Sequence, residues 1–238
     1  MQATRPRRPT IAPFFADRSL AAMDKISREF SPSDEQLVYR PAVPDDNRAI
    51  ADLICQAGGG LYEFLFDDLI PFVTASDIVA AGVGMSGGPL SYENCLVASS
   101  ASAGIVGVAN FFPADSLAEE TFLSLVSDRF DHIGPMLRLR DRGSMFLNAI
   151  AVAGNYRGNG VGTHLIALTE AASQEAGLSR LSLHVWVDNV AAIRLYKRHG
   201  FVEVGIAELA VAPRLPHRGG SLLMRKILPT PSRRIAVA

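Results

Sequence analysis

The sequence predicts a single α/β domain with insertions, on three observations. A chain of 238 residues, 48% hydrophobic and 20% charged, is long enough to bury a full core and sits near the upper size for one compact unit. From Met145 onward, apolar runs of strand length alternate with segments of helical periodicity, in the order βαβαβ followed by a closing strand. Near the start, a strand over Gln36 to Arg40 is broken by Pro41-Ala42-Val43-Pro44-Asp45-Asp46. The acidic pair stands where the unpaired N–H groups of a helix start favour negative charge, so a helix follows over Asn47 to Cys55.

Residues 1–36 mix Arg5, Arg7 and Arg8 with Pro6, Pro9, Pro13 and Pro32 and show no sustained periodicity, so they read as a loosely ordered arm. A transit peptide is one reading of this arm, weakened by Asp17 and Asp24, and Met23 is a second candidate start. Residues 37–228 form the domain and 229–238 a tail. Within the domain, Gly58-Gly59-Gly60 stops the first helix, and the apolar, acid-studded stretch Leu61 to Phe72 reads as a second helix ended by Pro71. Cys95 to Ser99 and Ile105 to Phe112, joined by the small-residue turn Ser100 to Gly104, read as an antiparallel hairpin. Residues 113–143 are an insertion between strands, helical over Leu117 to Leu139. That is long for a connection and suits a lid or an oligomer contact, with a homodimer as the expectation. The remaining elements are strand Met145 to Val152, helix Gly160 to Ala176, strand Arg180 to Val187, helix Val190 to His199, strand Phe201 to Leu209 and strand Ser221 to Ile227.

Bulk chemistry removes several function classes. A formal net charge of -1 gives no global field to gather a polyanion, so nucleic acid is not an expected partner and any anion site must be local. The two cysteines, Cys55 and Cys95, stand amid apolar residues and in no CxxC or Cys/His spacing, which predicts neither a disulfide scaffold nor zinc. A reducing, cytoplasmic setting is the expectation. No apolar run is long enough to cross a bilayer and the N-terminus lacks a secretory h-region, so no membrane is expected either. The five histidines, His132, His164, His184, His199 and His217, fall at no metal-ligand spacing, and no metal is predicted.

The segment Asn155 to Thr163 carries the first chemical signal. It follows a strand, opens a helix, and bares its backbone with Gly158, Gly160 and Gly162 at alternate positions. Peptide N–H groups at a helix start are unpaired and point outward, and with the helix dipole they favour a phosphate or diphosphate. Arg157 adds a positive charge. No Lys-Ser/Thr pair closes the turn as in a Walker A loop, and Thr163 stands where a dinucleotide fingerprint has its last glycine. Gly82-Val83-Gly84-Met85-Ser86-Gly87 matches G-x-G-x-x-G by letter, but Gly88-Pro89 follows at once and leaves no helix start to receive phosphates. It reads as a flexible loop.

Downstream, Asn189-Val190-Ala191-Ala192-Ile193-Arg194-Leu195-Tyr196-Lys197-Arg198-His199-Gly200-Phe201 follows a strand. Together with Val152 and the R-x-x-G-x-G of Arg157 to Gly162, this resembles the GNAT superfamily of acyl-CoA N-acyltransferases, with both motifs in order over about residues 145–205. Val38-Tyr39-Arg40-Pro41-Ala42 with Asp45-Asp46 resembles the family's opening strand and helix. The resemblance implies a mixed, mostly antiparallel sheet flanked by helices, whose central strands Met145 to Val152 and Arg180 to Val187 splay apart to admit acetyl-CoA. It further implies that Ala151 and Val152 offer backbone groups to the pantetheine, that Arg157, Gly158, Asn159, Gly160, Val161, Gly162 and Thr163 bind the diphosphate, and that Asn189 and Ala192 line the cofactor groove. Tyr196 lies two helical turns after Asn189, on the same face with Ala192 between them. In many family members the matching tyrosine gives a proton to the departing thiolate, and a phenol is protonated at neutral pH.

The pattern also departs from the family. Members with a strand-borne catalytic glutamate carry it eleven positions before the turn's arginine, and here that position is Phe146. Asn148, two residues on, shares its strand face but is no base. Glu63, Asp67, Asp68 and Glu93 are carboxylates that the family fold brings near; Glu63, Asn148 and Trp186 are the candidates for contact with the acceptor. The expected activity is acetyl transfer from acetyl-CoA to a primary amine. Two alternatives stand beside it: an acyl-CoA-binding regulatory module or pseudoenzyme of the same fold, and a transferase acting on a protein N-terminus or lysine.

Overall fold

The computed structural model describes residues 36–117 and 127–229. The arm up to residue 35, residues 118–126 of the insertion and the tail from residue 230 lie outside them, and with them the expectations made there. Seven strands, β1 (Val38–Pro41), β2 (Cys95–Ser100), β3 (Gly104–Pro113), β4 (Met145–Val152), β5 (Arg180–Trp186), β6 (Val202–Ala207) and β7 (Ser221–Ile227), form one sheet in the order β1-β2-β3-β4-β5-β7-β6. Every neighbouring pair is antiparallel except β4 with β5. A parallel pair needs a crossover, and a helix supplies it here. The last strand in sequence inserts between β5 and β6 and so leaves β6 at the sheet edge, an order the linear pattern does not disclose.

Among the described residues six α-helices flank the sheet: α1 (Asn47–Gly58), α2 (Leu61–Phe66), α3 (Ala75–Gly84), α4 (Ser127–Arg138), α5 (Val161–Glu175) and α6 (Val190–Arg198). On one face Ile50 and Ile54 of α1 and Val79 of α3 meet Val97 and Val108 of the sheet. On the other, Leu165, Ile166 and Leu168 of α5 cover Phe111, Leu147 and Leu181. The spacing of three and four along α1 and α5 puts each apolar set on one helix face, and burying it is what holds the layers together.

Two elements differ from their sequence reading. The helix expected over Leu61 to Phe72 ends at Phe66, where Asp67 turns to an extended ψ of 144°, and Asp68 and Phe72 beyond it both adopt a left-handed φ of 63°. Of the stretch read as a loop over Gly82 to Gly87, the first half, Gly82 to Gly84, is the end of α3 and the second half is loop. Thr74 caps that helix by accepting from Asp77 N–H at 3.2 Å while the Asp77 carboxylate accepts from Thr74 N–H at 2.8 Å, a reciprocal box present in the sequence as T-x-x-D. Gly84 serves packing: a Cβ there would come within 3.1 Å of Asn47 Nδ2 on α1.

The centre of the sheet sets the geometry of the site. β4 and β5 pair only through Met145 with Leu181, Phe146 with Ser182 and Leu147 with Leu183, and beyond these they part. Across β3 the register runs Asn110 with Ala149 and then Phe111 with Leu147, so Asn148 is a bulge residue without a partner. The bulge reverses the face parity of β4. Phe146, Asn148 and Ala149 all line one cavity, whereas Ile150 and Val152 pack on the α5 side.

Candidate active site

The turn before α5 is open on its outer side. Gly158 and Gly160 both have φ of 80°, and an added Cβ at either would meet no atom within 4 Å. Only glycine takes this backbone without strain. The first bond of α5 runs from His164 N–H to Gly160 C=O at 2.9 Å, which leaves the N–H groups of Val161, Gly162 and Thr163 facing outward from the helix start. Arg157 Nε donates to Val152 C=O at 2.9 Å, tethering the guanidinium beside the turn. Val161 buries its side chain, Asn159 is exposed, and Thr163 Oγ1 lies 3.3 Å from His199 Nε2. Burial lowers the pKa of His199, which favours its neutral form.

Beside the turn, Ala153 N–H bonds Val106 C=O at 2.8 Å. By the alternation of an antiparallel ladder, Ala151 then turns its peptide groups into β3 and Val152 turns its own towards the gap with β5. Of the two residues expected to offer backbone groups, Val152 is so oriented. Ala151 is not, and contributes a small buried side chain instead.

A cavity of about 210 Å³ opens where β4 and β5 part. Asn189, Ala192 and Tyr196 line one side of it. Asn189 caps α6 by accepting from Ala192 N–H at 3.1 Å. The Tyr196 ring sits edge-on to Phe201 at 5.6 Å, and burial pushes its phenol up to about 12. Its hydroxyl has no hydrogen-bond partner among the described residues and stands at the cavity wall as a free donor. Trp186 also lines the cavity, with Nε1 donating to Gly58 C=O at 3.0 Å and its ring stacked on His217 at 4.5 Å.

None of the carboxylates considered from the sequence reaches this space. Glu63 is on α2, but the lining residues of that helix are Leu61, Tyr62, Leu65 and Phe66, and Glu63 turns away towards Cys55, whose thiol burial and the Glu63 charge push up to about 12. Asp67 accepts from Ala75 N–H at 3.1 Å, Asp68 pairs with Arg214 at 2.7 Å, and Glu93 accepts from Gly87 N–H at 3.0 Å. These last three are spent on local structure. His184 does line the cavity, between the edge of Phe146 at 5.9 Å and two hydrogen bonds. Its Nε2–H donates to Leu139 C=O at 2.8 Å and its Nδ1 lies 3.0 Å from Ser221 Oγ, so both nitrogens are engaged in local structure. Sequence reasoning missed Tyr62, Phe66 and His184 as cavity residues. The i, i+1, i+4, i+5 apolar face of Leu61, Tyr62, Leu65 and Phe66 was the available signal.

A mixed sheet whose two central strands part beside a bare, glycine-rich helix start defines the class as an acetyltransferase-type α/β fold. The Acetyltransferase (GNAT) family model matches residues 90–201, and the chain carries a GNAT-family acetyltransferase domain. It is similar to GCN5-related N-acetyltransferase 4, chloroplastic, of Arabidopsis thaliana, with 27% identity over 194 residues that cover 75% of this chain and 65% of the relative. It is also similar to GCN5-related N-acetyltransferase 7, chloroplastic, of the same plant, with 39% identity over 85 residues, 36% of this chain and 31% of the relative. The match thus spans less than two thirds of the length of either relative. In fold, the chain resembles an N-acetyltransferase from Staphylococcus aureus Mu50, with a TM-score of 0.58 at 20% identity over 79% of this chain and 99% of that one.

Proposed function

We propose that the chain transfers the acetyl group of acetyl-CoA directly to the primary amine of a small molecule. The observation that carries this reading is the convergence of three features on one gap: the outward N–H groups of α5 beside Arg157, the Val152 peptide turned towards β5, and the unpaired Tyr196 hydroxyl at the cavity wall. Acetyl-CoA supplies the activated acyl group as a thioester. In this reading the N–H groups of Val161, Gly162 and Thr163, with Arg157, hold the diphosphate by charge-assisted hydrogen bonds. Val152 orients the pantetheine arm, and Tyr196 donates its proton to the sulfur as the carbon–sulfur bond breaks.

The test is release of free coenzyme A thiol from acetyl-CoA over a panel of small amines and amine-bearing peptides, run beside the melting temperature with and without acetyl-CoA. We expect release with at least one small amine and a raised melting temperature. A raised melting temperature without any release would replace the enzyme by an acyl-CoA-binding regulatory module, and release confined to peptides would favour a protein acceptor. For the setting, the buried free thiols of Cys55 and Cys95 support a reducing compartment. Cytoplasm is our reading, and the plant relatives, named as chloroplastic, make a plastid the alternative that fractionation distinguishes. We also propose a homodimer, supported by Val202, Val204 and Ile206 exposed on the edge strand β6.

A further inference from the structure

Behind the cavity wall, a brace of two side chains holds one aromatic ring. Trp186 ends β5 and lines the cavity, and it is buried with Ile54 of α1 and Leu65 of α2 on the sheet face opposite α5. Its indole is restrained in two ways. Nε1 donates to Gly58 C=O at 3.0 Å, and the ring lies against the imidazole of His217, at 4.5 Å between centroids and 12° between planes. A single hydrogen bond fixes one edge of an indole and leaves its plane free to tilt, and a stacked ring removes that freedom. His217 is not itself a cavity-lining residue, so its effect on the cavity passes through Trp186.

His217 is held in its turn. It belongs to the stretch 208–220 between β6 and β7, which lies against the turn between α1 and α2: a Cβ at Gly59 would come within 2.6 Å of His217 Nε2, and one at Gly60 within 2.7 Å of Pro216 Cγ. His217 Nδ1 is 2.8 Å from Asp188 Oδ1, and an ionised carboxylate only accepts, so Nδ1–H is the donor. The other carboxylate oxygen accepts from Arg218 N–H at 2.9 Å, and Val187 N–H donates to Gly220 C=O at 3.1 Å. Asp188 thereby ties this stretch to the turn that runs from Trp186 to Asn189, which Asn189 N–H closes on Trp186 C=O at 3.0 Å. The imidazole plane is set between the carboxylate and the bare backbone of Gly59.

We propose that His217, braced by Asp188, is a positioning residue for the acceptor amine: it holds the Trp186 ring as a fixed wall on the side from which the amine meets the thioester. The inference rests on the acetyl-transfer reading above, which seats the cofactor diphosphate at the start of α5. Trp186 packs on the opposite face of the sheet, with α1 and α2, so the molecule it touches in the gap is the one that meets the thioester. A wall already fixed loses no rotamer freedom when the amine binds, and it keeps the nitrogen directed at the acyl carbon. A mobile indole forfeits both.

The test compares His217→Ala with His217→Asn, which keeps an N–H where Nδ1 stands, and so the tie to Asp188, but has no ring face. The comparison therefore holds even where His217→Ala loosens the stretch. Trp186 is the one tryptophan of the chain, so time-resolved fluorescence anisotropy reports this ring alone and needs no substrate. We expect the wild-type indole to turn only with the whole molecule and both variants to add a fast local motion. With the small amine most readily acetylated in the coenzyme A release assay, both variants should raise the amine KM about five- to tenfold, while kcat falls less than about threefold and the KM for acetyl-CoA stays the same. An immobile indole or an unchanged amine KM in His217→Asn would show that His217 only fastens the stretch, and would overturn the proposal while leaving acetyl transfer intact. An equal rise in the KM for acetyl-CoA would put Trp186 on the cofactor side and overturn it likewise. Absence of turnover with every amine would overturn both.

Discussion

At the scale of single residues, the site turns on what one hydroxyl lacks. Tyr196 has no partner among the described residues, and burial lifts its pKa to about 12. The sign follows: the phenol remains protonated across the neutral range, and its donor capacity is lost only as alkaline pH passes through that raised value. Tyr196→Phe should lower kcat by about a hundredfold, with the acetyl-CoA dissociation constant nearly unchanged, as read by steady-state kinetics and calorimetry. Unchanged turnover would remove the acid role. Tyr196 was readable in advance because the helical repeat sets it on the face of Asn189. The acceptor-side residues were not. Phe146 in the glutamate position signals a missing base, but no local pattern tells that Glu63, Asp67, Asp68 and Glu93 all point elsewhere, since a helix of six residues such as α2 can present either face.

At the scale of elements, the start of α5 and the bulge of β4 do different work. Helix start and turn were legible, because the alternate glycines and the arginine are a contiguous signal whose physics is local. Gly160→Val should cost about 1–2 kcal/mol of stability, for a φ of 80° is strained for any side chain, and should weaken acetyl-CoA binding by at least about a hundredfold in calorimetry on the folded protein. Retained affinity would contradict the diphosphate assignment. The bulge was not legible. Period-two alternation continues smoothly through Met145 to Val152, and only the register with β3 shows that Asn148 and Ala149 share a face. Helix α3 was missed for another reason: its glycines read as breakers, while the capping box that starts it went unweighed.

At the scale of the whole molecule, the sheet order leaves β6 at an edge carrying exposed aliphatic side chains, Val202 at 57% and Ile206 at 51%, more apolar area than an unpaired edge strand usually shows to water. If a second copy covers them, light scattering should report a dimer, and Ile206→Lys should dissociate it without altering the helical and strand content seen by circular dichroism. A monomeric wild type would remove the homodimer. Along the sheet this edge reaches the centre through β7 and β5, while Ala207 joins the core on the cavity side and Gly205 lies against Leu139. Ile206 alternates with these two residues and is exposed, so the charge change there should leave the cavity and its kinetics intact.

The sequence by itself determined the α/β class, the hairpin of β2 and β3, the succession from β4 to β7, and the glycine-rich turn with Asn189 and Tyr196 downstream. All of these are written in contiguous residues whose preferences act within a few turns of chain. Only the tertiary structure decided where β7 inserts, where β4 and β5 part, and which side chains of α1, α2 and α4 wall the cavity beside them. Those features depend on strand register and on packing between segments far apart in sequence, where the free energy belongs to the contact and to neither segment alone. The glycine-rich turn is a local device and could be read. The cavity is a meeting of distant walls and had to be seen.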